Sequence, residues 1–127
     1  MASDLKTAQD ALRAFALGMP GTYEEFPWGE PAMKVNKKVF VFFGLTEQID
    51  TELRFAVKLT LSNDHALQMP FAKPTRYGLG AHGWVSMLLT PDDDIPLDLL
   101  QDWIEESYRN VAPKRLVAEL DKQIARG

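Results

Sequence analysis

An α+β fold, with an antiparallel sheet of about five strands and helices packed on one face, is what this sequence predicts. Three observations point to it. The elements run helix, about four strands, short helix, strand, helix, helix, an order suited to an antiparallel sheet covered on one side. The stretch LRFAVKLTL alternates: Leu53, Phe55, Val57, Leu59 and Leu61 face one way, and Arg54, Ala56, Lys58 and Thr60 the other, as in a strand with one wet face. The helical stretches each carry a single apolar stripe.

Taken in order, residues 4–17 form an amphipathic helix whose stripe is Leu5, Ala8, Leu12, Phe15 and Ala16. Ser3 is its expected N-cap, and Gly18 with Pro20 ends it. Pro27, Gly29 and Pro31 mark Phe26–Pro31 as a loop between strands. MKV, then Asn36–Lys37, then KVFVFF predicts a hairpin rich in β-branched and aromatic residues, although Asn-Lys suits a tight turn less well than Asn-Gly. Glu47–Glu52 is a polar turn before the alternating strand. Ser62 or Asn63 caps a short helix to about Met69, which Pro70 ends. GWVSMLL is the last strand, and Trp84 is expected in the core with its indole N–H hydrogen-bonded. After the loop from Pro91 to Asp94, a helix carries Ile95, Leu97, Leu100, Trp103, Ile104 and Tyr108. Beyond Pro113 a final helix carries Leu116, Val117, Leu120 and Ile124.

The bulk numbers exclude several function classes. A chain of 127 residues suits one domain of ordinary size, so residues 1–127 are expected to form a single domain. With 46% hydrophobic and 25% charged residues, the composition argues against disorder away from the termini. There is no cysteine, which excludes disulfides and thiolate chemistry. No apolar run approaches the ~20 residues that cross a bilayer, and the N-terminus lacks a signal-peptide core. A cytoplasmic protein with no membrane partner is the expectation. The net charge of −4 is unevenly spread. Residues 31–90 hold seven basic and four acidic side chains, net +3, whereas residues 1–30 are net −3 and residues 91–127 net −4. The overall sign argues against strong indiscriminate binding to nucleic acid, but leaves room for a local basic face.

Candidate chemistry is sparse. His65 and His82 lie far apart without a carboxylate motif, and Asp92–Asp94 lacks the spacing and glycine of a calcium loop, so no metal site is expected. No serine sits in a Gly-x-Ser-x-Gly elbow, and no catalytic set emerges. Gly78-Leu79-Gly80-Ala81-His82-Gly83 resembles a phosphate-binding loop. It lacks a Lys-Ser/Thr ending, however, and leads into a strand rather than a helix, so its glycines suit a tight turn. What remains is the basic, aromatic middle. Lys34, Lys37, Lys38, Lys58, Lys73 and Arg76 fall near strand ends or on the wet face, with Trp28, Tyr77 and His82 in loops. Such a set could meet a phosphate backbone or an anionic ligand; a solvated face guarded by lysines is the plainer account.

Four stretches together resemble the MmcQ/YjbR family: FPWGEPAMKVNKKVFVFF (26–43), FAVKLTL (55–61), KPTRYGLGAHGWVSMLL (73–89) and WIEESYRNVAPKRL (103–116). Phe26, Pro27, Gly29, Lys34, Lys38, Phe40, Lys58, Leu59, Tyr77, Leu79, Gly80, Gly83, Trp84, Val85, Ser107 and Tyr108 carry the likeness. The resemblance implies a frataxin/CyaY-like αβ sandwich and DNA binding of a double-wing kind, in which two β-hairpins flank a basic surface. One position departs: the family often has Lys or Arg after the second glycine of the turn, and here it is Ala81. The frataxin likeness raises iron binding, but the first helix has only Asp4 and Asp10 rather than an acidic ridge.

The expectation is therefore a non-enzymatic DNA-binding module. Lys34, Lys38, Lys58, Lys73 and Arg76 would contact phosphates, and Tyr77, His82 and Trp28 would stack or hydrogen-bond. No catalytic residue, metal or cofactor is expected, and the chain would be a monomer or weak dimer. The alternatives are a module for a small anionic ligand or a protein partner on the same rim, and an enzyme using His82. All depend on the cations converging.

Overall fold

The computed structural model describes residues 2–27, 29–44 and 51–126. Helix α1 (Ala2–Leu17) is followed by strands β1 (Thr22–Glu25), β2 (Ala32–Val35), β3 (Lys38–Phe43) and β4 (Leu53–Lys58). Next come α2 (Asn63–Leu67), β5 (Ala72–Pro74), a 3₁₀ turn (Leu79–His82), β6 (Trp84–Leu89), α3 (Leu97–Val111) and α4 (Lys114–Arg126). The strands form one antiparallel sheet in the order β1-β2-β3-β4-β6-β5. The α+β class is as the sequence predicts, with six strands rather than about five; β5 is the strand the sequence conceals. It has only three residues, one of them Pro74, at an edge where a missing N–H is tolerated.

Alternation sorts the sheet into two faces. Met33, Val35, Phe43, Leu53, Phe55, Val57, Val85, Met87 and Leu89 are buried against the helical layer. Leu5 and Leu12 of α1 and Leu100, Trp103, Ile104 and Tyr108 of α3 meet them in one core. In β3 both Phe40 and Val41 are buried, because the register against β2 slips between Met33 and Lys34 and one residue is bulged. Phe40 then meets Tyr108 edge to face, 5.5 Å between ring centroids.

Four expectations need correction. Trp84 is not a core residue. Val85, Met87 and Leu89 take the inner side, so Trp84 falls on the opposite face, half-buried, and the core tryptophan is Trp103. Leu61 is 91% exposed, because β4 ends at Lys58 and the alternation carries only as far as buried Leu59. Ile124 is exposed, because α4 buries only Leu116 and Leu120. Ser3 lies inside α1, which begins at Ala2, rather than capping it. Trp28 and most of the polar turn expected at Glu47–Glu52 lie outside the described residues. No helix among the described residues is long and apolar enough to cross a membrane.

Candidate nucleic-acid interface

Antiparallel pairing gives the sheet two ends of opposite charge. At one end lie Glu25, Glu30, Glu52 and the Asp92–Asp94 loop, where β1, β3 and β6 finish and β2 and β4 start. The other end carries two protruding turns. One joins β2 to β3 through Asn36 and Lys37; the other joins β5 to β6 through residues 75–83. Between them β4 ends at Lys58. Strands lie ~4.8 Å apart, so the two turns, three strand spacings apart in the sheet, are separated by about 14 Å.

The first turn is built from two left-handed residues, Asn36 at φ 51° and Lys37 at φ 68°. Those angles match the twist of a two-residue hairpin. Asn adopts them readily, but Lys does so at a cost of roughly 1 kcal/mol or more. The second turn is larger. The Thr75 N–H donates to Trp84 O (3.1 Å), the Gly80 N–H to Thr75 O (3.0 Å) and the Leu79 N–H to Arg76 O (3.3 Å). Tyr77 sits at its tip at φ 62° and is 94% exposed. Gly83 closes the turn at φ 93°, and its carbonyl accepts the Leu59 N–H at 2.8 Å, extending the β4–β6 pairing by one rung. A Cβ there would stand 2.8 Å from Leu59 O, so only glycine fits. Asn36, Lys37 and Tyr77 are the non-glycine residues with positive φ among the described residues, and all three lie at these two tips.

The sequence-predicted cations divide. Lys34 is taken by Glu25 across the β1–β2 pair at 2.7 Å, and the Glu25 hydrogen bond raises its pKa. Lys58 lies opposite Trp84 on the helix-free face. On the other side of β6, Lys73 lies opposite Ser86, and Thr75, next to Arg76, hydrogen-bonds to Ser86 Oγ at 2.8 Å. Lys58 and Lys73 thus flank Trp84 on this face, and Arg76 follows Thr75, whose N–H pairs with Trp84 O. Lys38, exposed at the start of β3, pairs with buried Val35 and so belongs to the helix side of the same end. Among the described residues none of Lys37, Lys38, Lys58, Lys73 and Arg76 has a carboxylate within ion-pair distance. Lys37, part of the basic middle but not of the expected phosphate contacts, joins those contacts because the structure puts it at the exposed tip of the first turn.

Glu105 and Glu106, which α3 brings towards this end, both have partners, whereas Asp64 of α2 is exposed with no ion pair among the described residues. Arg109 holds Glu105 (3.2 Å) and Asp121 (2.9 Å). Glu106 accepts three consecutive backbone N–H groups, from Thr60, Leu61 and Ser62, at 3.0, 3.1 and 3.1 Å, and the Ser62 hydroxyl at 2.7 Å. Beside it, Ser107 Oγ accepts the Lys58 N–H (2.8 Å) and donates to Phe40 O (2.5 Å), filling the gap that the bulge opens between β3 and β4. The Tyr108 hydroxyl donates to Pro20 O (2.6 Å), and burial raises its pKa. Asn110 donates to Lys58 O and accepts from the Thr60 hydroxyl.

An open depression of about 430 Å³ lies between the β4–α2 connection and the second turn, lined by Leu59, Thr60, Asn63 and Gly80–Gly83. His82 is exposed on its rim and makes no side-chain hydrogen bond or ion pair among the described residues. His65 instead meets the edge of Trp103, 6.1 Å between centroids.

The YjbR family model matches residues 17–110, which include both turns and all six strands. The chain belongs to the YjbR family. A crystal structure of the Deinococcus radiodurans protein DR2400, described with the domain DUF419, is similar at 23% identity and a TM-score of 0.67. The match covers 88% of this chain and 86% of that one. It supports the fold. No curated protein matches. Within this YjbR chain, α1 up to Ala16 and the whole of α4 lie outside the family match, so the family region is the sheet, its two turns, α2 and α3 as far as Asn110.

Proposed function

We propose that this YjbR-family protein is a non-enzymatic DNA-binding module that grips the phosphate backbone with the two turns as wings. The observation that carries the reading is the gathering of Lys37, Lys38, Lys58, Lys73 and Arg76, free of described carboxylates, at one end of the sheet. The wing separation of about 14 Å is comparable with the ~12 Å width of a major groove. The acids at the far end and the net charge of −4 would orient the molecule and limit indiscriminate binding. Trp84 with Lys58 beside it, and His82 on the rim, would add contacts to sugar and base. Lys34, held by Glu25, is the weakest member of the predicted set.

Fluorescence-anisotropy titration of duplex DNA at low salt tests the reading. Binding should weaken as salt rises, with a log–log slope of ~0.9 for each phosphate engaged. A dissociation constant weaker than ~10⁻⁴ M, the weak end of non-specific binding, overturns it. The depression beside His82 favours one second reading, a small anionic ligand. A mononucleotide that raises the melting temperature while DNA of any form does not would move the function there.

A further inference from the structure

We infer that the wing end is built for unpaired bases, with Tyr77 as a stacking residue; this rests on the DNA-binding reading above. Tyr77 is almost wholly exposed and held in the left-handed region, where a tyrosine is disfavoured and glycine would be at ease. Nothing among the described residues accounts for the ring. It makes no aromatic contact or hydrogen bond among the described residues, and the neighbouring Gly78 faces open space. The turn is nonetheless anchored on both sides of it, by the Gly80 N–H on Thr75 O and the Leu79 N–H on Arg76 O. A strained, firmly supported and fully presented aromatic ring is a device for contact with a ligand.

The surrounding chemistry selects the ligand. Base edges are read by bidentate side chains, of which the wings carry Asn36 and Arg76, against four lysines, which hold phosphates as point charges. Asn63, the amide beside the second wing, is spent on the carbonyls of Leu59 and Gly83. What the surface offers besides charge is aromatic face: Tyr77 at the tip and half-buried Trp84 behind it, flanked by Lys58 and Lys73. A duplex keeps its base faces stacked. A single strand exposes them, and cations along its backbone with rings under its bases bind without sequence preference.

The test measures labelled oligo(dT) and a duplex of equal length against the wild-type chain and the variants Tyr77→Gly and Tyr77→Phe. The single strand should bind more tightly than the duplex. Tyr77→Gly should weaken the single strand by about 5- to 150-fold, the range for one lost base stack, and the duplex by less, since its base faces stay stacked. Tyr77→Phe should keep the single-strand affinity, and Tyr77→Gly should melt no lower than wild type, since glycine relieves the φ of 62°. Duplex binding at least as tight as single-strand binding, or no loss with Tyr77→Gly, overturns this inference and leaves the phosphate-binding reading standing. A lowered melting temperature for Tyr77→Gly overturns it too, because the ring would then serve the fold. Binding of neither nucleic acid overturns both.

Discussion

Two polar regions meet at the same end of the sheet and could hardly be treated more differently. Along α3, Glu106, Ser107, Tyr108 and Asn110 spend their polar atoms on the backbone of other elements, chiefly at Phe40, Lys58, Thr60–Ser62 and Pro20. No described buried side-chain polar atom lacks a partner. At the wings the reverse holds. Lys37 and Tyr77 occupy backbone angles that suit glycine, and Lys58, Lys73 and Arg76 meet no described carboxylate. Saturated polar groups hold a fold; unsaturated ones, presented at a local cost in strain, are available to something outside it. The contrast separates structure from function within a motif such as Ser107-Tyr108, which sequence likeness alone treats no differently from Tyr77.

Substitutions on the two sides should therefore split stability from binding. The largest effect is expected at the seam. Ser107→Ala leaves the Phe40 carbonyl and the Lys58 N–H without their bridge in a buried gap, at ~1–3 kcal/mol for each orphaned group. A loss of about 2–4 kcal/mol in urea unfolding is expected, with the salt slope of DNA binding unchanged. A change in that slope without a loss of stability would erase the distinction. At the wings the signs reverse and the stability effect is smaller. Lys37→Gly turns Asn36-Lys37 into the preferred Asn-Gly hairpin turn, so stability should rise by about 0.5–1 kcal/mol. Thermal melting would report this as an increase of a few degrees. The same variant should flatten the duplex salt slope by ~0.9. A destabilised Lys37→Gly would show that the lysine serves the fold.

Much of the architecture is legible in local pattern. Strict alternation in β4, the stripe of α3 and the Pro and Gly punctuation each follow from one element's own residues. Trp84 was also legible in principle: counting back by twos from Met87 and Val85 puts it on the outer face, and the size of the indole is a poorer guide than its parity. The edge strand β5 was not legible, since three residues ending in proline carry no period. The site was least legible of all. Whether Lys58 and Lys73 share a surface depends on β6 lying between β4 and β5, a long-range pairing that no local stretch encodes. The same holds for Glu25, whose claim on Lys34 exists only because β1 pairs with β2. Local pattern likewise says nothing of φ at Lys37 and Tyr77, the clearest mark of the two tips.

Amide chemical-shift mapping with a short DNA ligand at low salt tests the central claim most directly, because it reports where the ligand sits as well as whether it binds. The expected perturbations cluster at Asn36–Lys38, Lys58–Leu61 and Lys73–Trp84, with the α3 seam moved only where it touches Lys58, and with Glu25, Glu30 and Asp92–Asp94 silent. Perturbations centred on that acidic end or on α4, or spread evenly over the molecule, would contradict a polyanion site built on the two wings.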